Sequence, residues 1–154
     1  MKLSFRPIKQ KDFEFLWRLH NAALKDYVTQ TWGWDEDWQK RNFTKTFKPE
    51  KAQIIVFEEK DVGYWEVSEK ETETVLISIR LLPAYQKRGI GTKLIKDLLD
   101  NSQKSVRLQV LKVNPARKLY ARLGFEIFDE TDTHFLMRRF FDSRKNAQKP
   151  QKTI

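Results

Sequence analysis

The spacing of apolar residues changes along the chain, and each change marks an element. Leu3-Ser4-Phe5-Arg6-Pro7-Ile8 reads as a first strand that ends near Pro7. From Asp12 onward, Phe13, Leu16, Trp17, His20, Leu24 and Tyr27 recur at i, i+3, i+4, i+7, the signature of an amphipathic helix. His20 falls on that apolar stripe, where a packing role outweighs a catalytic one. Asp35 stands as N-cap of a second helix carrying Trp38, Phe43 and Phe47. Residues 53–58 and 62–67 then read as two strands around the polar turn Glu59-Lys60-Asp61. A second turn, Glu69-Lys70-Glu71, leads into a strand over 74–81, whose run Val75-Leu76-Ile77-Ser78-Ile79 has the apolarity of a strand buried on both faces. Three strands with such short connections form an antiparallel meander.

The second half switches period twice. Ile90, Leu94, Ile95, Leu98 and Leu99 give a helical stripe, and 106–110 is a strand, so this strand–helix–strand unit predicts a parallel pair with a right-handed crossover. Asn114 caps a last helix, Pro115 occupies its first turn and Gly124 ends it. Residues 125–128 and 133–138 read as a closing antiparallel hairpin. The order β-α-α-β-β-β-α-β-α-β-β, with no internal repeat and no domain boundary, predicts an α/β chain folded around a mixed sheet.

One stretch carries candidate chemistry, Ile79 to Lys93. A strand stops, Pro83 opens a turn, and Gly89 and Gly91 flank the start of a helix. Free backbone N–H groups at a positive helix end suit an anion, usually phosphate. A dinucleotide fingerprint is excluded because Leu94 stands where its third glycine belongs. A Walker A loop is excluded because Thr92, not lysine, follows Gly91. Gln86-x-x-Gly89-x-Gly91 does resemble the acetyl-CoA signature of the GNAT superfamily of acyltransferases. Leu81-Leu82-Pro83 matches the family's strand end, and Asn114 through Gly124-Phe125 resembles its second signature, a helix opened by Asn and closed by Gly-Phe. The likeness covers most of residues 3–140.

The resemblance implies a single-domain GNAT fold, with a mixed, mostly antiparallel sheet of six to seven strands and about four helices. It implies an N-acetyltransferase with acetyl-CoA as cosubstrate and a primary amine as acceptor. Acetyl transfer needs the thioester held, its oxyanion stabilised, and protons moved off the amine and onto the thiolate. By resemblance Gln86, Lys87, Arg88, Gly89, Ile90, Gly91 and Thr92 cradle the pyrophosphate. The Leu81 N–H polarises the thioester carbonyl, and Asn114 hydrogen-bonds the pantetheine arm. Tyr120, six residues after Asn114, is the expected general acid, with helix packing beside Leu119 and Leu123 as its plain alternative. Glu66, on the strand beside the central one, is the best-placed base, with Glu73 and Glu36 as alternatives. Tyr27, Trp32, Trp34 and Glu36 are the candidate acceptor-binding residues; the tryptophans serve equally as a seal on one end of the core.

Composition narrows this little further. The 154 residues contain no cysteine and two histidines, which argues against disulfides, a cysteine nucleophile and a histidine metal site; no metal is expected. The absence of a long apolar run argues against a membrane partner and for a cytoplasmic protein. Of the net charge of +9, residues 142–154 supply +3 and read as a basic, disordered tail behind a domain of residues 1–141. A basic body suits CoA and also nucleic acid. The competing class is therefore a CoA-bound regulatory or nucleic-acid-binding module without turnover, marked by DNA binding that survives ~200 mM salt. The intact turn and Tyr120 favour the enzyme and argue against nucleic acid as a partner. The acceptor's identity and the choice between monomer and homodimer stay open.

Overall fold

Strand β2 (Gln53–Phe57) divides the molecule. Successive strand side chains point to opposite faces. Accordingly, Ile55 and Phe57 join one hydrophobic core, and Ile54 and Val56 join another. In the computed structural model, which describes residues 2–141, β2 belongs to a seven-stranded sheet. The expected tail over 142–154 lies outside the described residues.

The elements follow as β1 (Leu3–Pro7), α1 (Phe13–Trp32), α2 (Glu36–Thr46), β2, β3 (Lys60–Glu69) and β4 (Glu73–Leu81), then α3 (Ile90–Asn101), β5 (Ser105–Leu111), α4 (Ala116–Arg122), β6 (Glu126–Glu130) and β7 (His134–Arg139). The sheet order is β1-β2-β3-β4-β5-β7-β6, antiparallel except for the β4–β5 pair. This is the α/β fold of one mixed sheet and four α-helices expected from the pattern. One core packs Ile90, Leu94 and Ile95 of α3 and Tyr120 of α4 against the sheet. The other packs Leu16 and Leu19 of α1, with Phe43 of α2, against Ile8 and Ile54.

Arg6 fastens the start of α1 to the sheet. Its guanidinium donates to both Asp12 oxygens at 2.9 Å and to Asp61 at 2.7 and 3.0 Å. The Arg6 guanidinium holds the buried Asp12 carboxyl below the usual range.

Three local features differ from the sequence reading. The segment from Tyr27 stays helical to Trp32, so the link to α2 shrinks to residues 33–35. Thr29 and Thr31 return their hydroxyls to the carbonyls of Lys25 and Tyr27, and only Gly33, at φ 80°, ends the helix. Strand β4 is not buried on both faces throughout. Its pairing with β3 shifts register after Ser78, where Val67 meets Leu76, and the bulged Ile77 is 47% exposed. The last helix starts at Ala116, yet Asn114 still caps it, its Oδ1 accepting the Ala116 N–H at 2.9 Å. Asp35 caps α2 as expected, accepting the Trp38 N–H at 3.0 Å.

Candidate active site

Strands β4 and β5 pair only at Glu73–Val75 with Ser105–Arg107; beyond Val75, where the bulge bends β4, they separate. At the Leu81 end of β4 lies a groove of about 370 Å³ lined by Leu81, Gln86, Gly91, Asn114 and Tyr120 among others. Leu82 donates its N–H to the Val62 carbonyl across β3. Alternation of backbone groups along a strand therefore turns the N–H and C=O of Leu81 the other way, toward the groove. Gln86 Nε2 donates to that Leu81 carbonyl at 2.9 Å and ties the turn to the strand end.

The turn is shaped by backbone conformation. Lys87 and Gly89 have φ of 59° and 82°, and Gly89 caps α3 in the left-handed region that glycine adopts freely. Gly91 is different. It sits in the first turn of α3, and a Cβ there would meet Ile79 and Leu119 only at 3.8 Å, ordinary contact. The protein's own packing does not require glycine at 91. A bare backbone on the groove wall at a helix N-terminus is what close approach of a phosphate needs.

Tyr120 is 8% exposed and packs on Phe125, with ring centroids 6.0 Å apart. Its hydroxyl has no hydrogen-bond partner among the described residues. Burial pushes it up to about 12, so it is a fully protonated O–H at neutral pH.

A second cavity, about 560 Å³, opens on the α1–α2 side of the sheet. Its walls include His20, Gln39, Asn42, Phe43, Tyr64 and Glu66, and Arg80 lines both this cavity and the groove. Tyr64 donates its hydroxyl to Glu66 Oε1 at 2.6 Å. Burial, then that carboxylate, raises the Tyr64 hydroxyl far above its usual range. Arg80 Nη1 donates to His20 Nδ1 at 3.2 Å. Arginine has no acceptor, so His20 is the neutral tautomer carrying its proton on Nε2. Burial and the Arg80 charge push His20 down to about 4, in keeping with that assignment.

The sequence candidates separate in space. Leu81, Gln86, Lys87, Gly89, Gly91, Thr92, Asn114 and Tyr120 line the groove, and Tyr27 joins them there. The side chain of Ile90 is core, 1% exposed, which leaves only its backbone to the turn. Arg88 turns aside and stacks over Phe57 and Tyr85, 5.3 Å from each ring centroid. Glu66 lines the second cavity. Glu73 is held by Arg107 Nε at 3.1 Å at the opposite end of β4 from Leu81. Trp32, Trp34 and Glu36 are not among the residues lining either cavity. Trp32 is 60% exposed against His134; Trp34 packs behind the wall on His20, with centroids 6.0 Å apart; Glu36 accepts the Trp34 indole N–H. Sequence reading missed Tyr64, Arg80 and Phe43. A signal for the first two existed: Tyr64 and Glu66 share a strand face by period two, and Arg80 pairs with Tyr64 once the hairpin register is known.

A family model described as an acetyltransferase (GNAT) domain matches residues 50–127. The chain belongs to the GNAT acetyltransferase family. It is an acetyl-CoA-dependent acyltransferase. Among solved structures, the PaiA N-acetyltransferase of Thermoplasma acidophilum, crystallised with coenzyme A, superposes with a TM-score of 0.73 at 18% identity, covering 92% of this chain and all of that one. An acetyltransferase from Thermus thermophilus gives 0.71 at 16% identity over 92% and 98% of the chains. The ribosomal-protein-S18-alanine N-acetyltransferase of Escherichia coli gives 0.61 at 18% identity over 99% of each. At such identities these likenesses speak for the fold. No curated protein sequence matches this GNAT chain significantly. No helix of the described residues is long and apolar enough to cross a membrane, and no described cluster of His, Asp or Glu suits a metal ion.

Proposed function

We propose that the protein is an N-acetyltransferase that passes acetyl from acetyl-CoA to a primary amine by direct attack within a ternary complex. One observation carries this reading: the groove and the second cavity share a wall residue, Arg80, next to last on β4. The groove takes the cosubstrate. Gly89, Gly91 and Thr92 offer backbone N–H groups to the pyrophosphate, with Lys87 adding charge, and Asn114 borders the pantetheine arm. The Leu81 N–H, facing the groove, donates to the oxyanion that develops on the thioester carbonyl.

The second cavity takes the acceptor. Glu66 receives the amine's proton, and the Tyr64 hydroxyl, which stays protonated, fixes that carboxylate by its 2.6 Å hydrogen bond. As the C–S bond breaks, Tyr120 donates its unpaired O–H to the thiolate. Its high proton affinity keeps the proton in place until negative charge develops on sulfur.

The test removes one atom. Tyr120→Phe keeps the ring against Phe125 and deletes the acid. Positioned proton transfer contributes ~10²–10⁴ in rate, and a thiolate is a good leaving group, so a kcat loss of about 10²-fold is expected with unchanged acetyl-CoA affinity. Stopped turnover at saturating acceptor, read by free thiol, measures it. A kcat within about twofold of wild type would assign the proton to water and leave Tyr120 a packing residue.

A further inference from the structure

The acceptor cavity carries an unbalanced charge. Its lining includes Lys45, Lys48, Lys51 and Arg80 against one acid, Glu66, and His20 is neutral. The three lysines are exposed at the rim, on α2 and the segment after it. None of the four cations forms an ion pair with a carboxylate among the described residues. For rim lysines that is ordinary. For Arg80 it is not.

Arg80 is partly buried between α1 and the sheet, and its charge is met only by weak partners. Its guanidinium carbon stands 5.1 Å from the Tyr64 ring centroid, and Nη1 donates to a neutral imidazole. Arg80 Nε is buried with no hydrogen-bond partner among the described residues. Desolvated charge and orphan donors are costly unless something supplies a counter-charge and acceptors. Among the described residues the fold supplies only the neutral His20 Nδ1 as acceptor and Glu66 as a carboxylate that acts on Arg80 without forming an ion pair. Retaining arginine here makes sense where the missing anion arrives with a ligand.

We propose that the acceptor is a metabolite-sized amine that also bears an anionic group, a carboxylate or a phosphate, received by Arg80 while Glu66 faces the ammonium. The register supports the pairing. Tyr64 lies opposite Arg80, and Glu66 lies two residues along the same face of β3. Such diagonal positions lie about 7–8 Å apart at the backbone, so both side chains can reach one small ligand in the cavity that they line. The planar fork of arginine matches both carboxylate and phosphate oxygens. The rim lysines attract an anion into a 560 Å³ cavity, which lies within the range for small ligands. A diamine would instead bring a second cation into an excess of positive charge. This inference rests on the assignment of this cavity to the acceptor made above.

The experiment is an acceptor panel on the full chain, read by free-thiol release from acetyl-CoA. It compares α-amino acids, the same amino acids as carboxamides, aminoalkyl phosphates of similar length, and diamines. Charge-assisted hydrogen bonds predict a kcat/KM for the anionic amine roughly 10- to 100-fold above that of its neutral counterpart. Whether carboxylate or phosphate ranks first identifies the anion. In Arg80→Gln the preference for the charged acceptor should collapse to within about threefold, read as the ratio of kcat/KM for the anionic amine and its neutral counterpart at saturating acetyl-CoA. Carboxamides or diamines equal to the anionic amines in the wild-type enzyme would overturn the proposal, independently of how the variant folds. So would a preference that survives Arg80→Gln, or a panel in which no anionic amine is acetylated. Failure of the wild-type chain to bind acetyl-CoA at all is a different result. It would overturn the transferase reading itself, and this inference with it.

Discussion

The two cavities that share Arg80 as a wall residue are built in different ways. The groove at the end of β4 offers backbone where the cosubstrate is proposed to bind: a strand end at Leu81, a left-handed Gly89 and a bare Gly91. The cavity under α1 and α2 is made of side chains drawn from four elements; His20 and Arg80, in hydrogen-bond contact, are 60 residues apart in sequence. A backbone site binds what every member of a family binds, because its donors do not depend on side-chain identity. A side-chain site can be rewritten one residue at a time while the fold stays fixed. The division teaches where generic cosubstrate chemistry ends and acceptor choice begins.

Substitution should therefore split binding from selectivity, and the largest split is expected at Gly91. Gly91→Val places a branched side chain on the groove wall where phosphate must approach, and we expect acetyl-CoA affinity to fall by about 100-fold or more. Gly91→Ala serves as its control. A Cβ there meets only ordinary contacts, so the fold should keep its melting temperature while affinity still falls by roughly tenfold. Calorimetric titration of both variants reads this; full affinity in either folded protein removes the turn from the cosubstrate site.

Next in size comes Trp34→Ala. Trp34 packs on His20 and Trp17 from behind the cavity wall, with centroids 6.0 and 6.5 Å apart. Its loss should raise the acceptor KM by about three- to tenfold with acetyl-CoA affinity unchanged. A lower melting temperature with unchanged kinetics would make the ring a core seal.

The smallest effect is a pH dependence. His20 is pushed down to about 4 in the fold and has the ordinary value near 6.5 when unfolded. Between those values the unfolded chain binds more protons, so stability is complete above about pH 6.5 and is lost as pH falls toward 4. Solvent screening of a half-buried ring limits the contribution to about 1–3 kcal/mol. His20→Gln, which keeps an acceptor for Arg80, should flatten this slope in melting curves between pH 6.5 and 4. His134 is also pushed down by burial, so a residual slope of the same sign should remain. An unchanged slope in His20→Gln would mean that the ring titrates normally.

The contrast also explains what could be read in the chain. Period-two strands, caps at Asp35 and Asn114, and glycines at 89 and 91 are local signals, and they led to the order of elements and to the groove. Trp32 and Trp34 drew attention by clustering, yet helix continuation to Gly33 carries Trp32 out against His134. Helical phase, not spacing in the sequence, decides where such rings end. Arg80 was hidden for the opposite reason. A lone arginine in a β-branched strand looks like a solvent-facing charge until the hairpin register sets it across from Tyr64 and the fold lays α1 over it. The bulge at Ile77 was equally silent, since an apolar run says nothing about which residue steps out of the ladder.

The central claim is that both cavities are filled together and the acetyl group crosses directly between them at the end of β4. An initial-rate matrix, varying acetyl-CoA at several concentrations of the best amine from the panel, tests it most directly. The account predicts reciprocal lines that intersect, with no acetylated protein recovered when acetyl-CoA is supplied without acceptor. Parallel lines, together with a stable acetyl-protein adduct detected by intact mass, would contradict it.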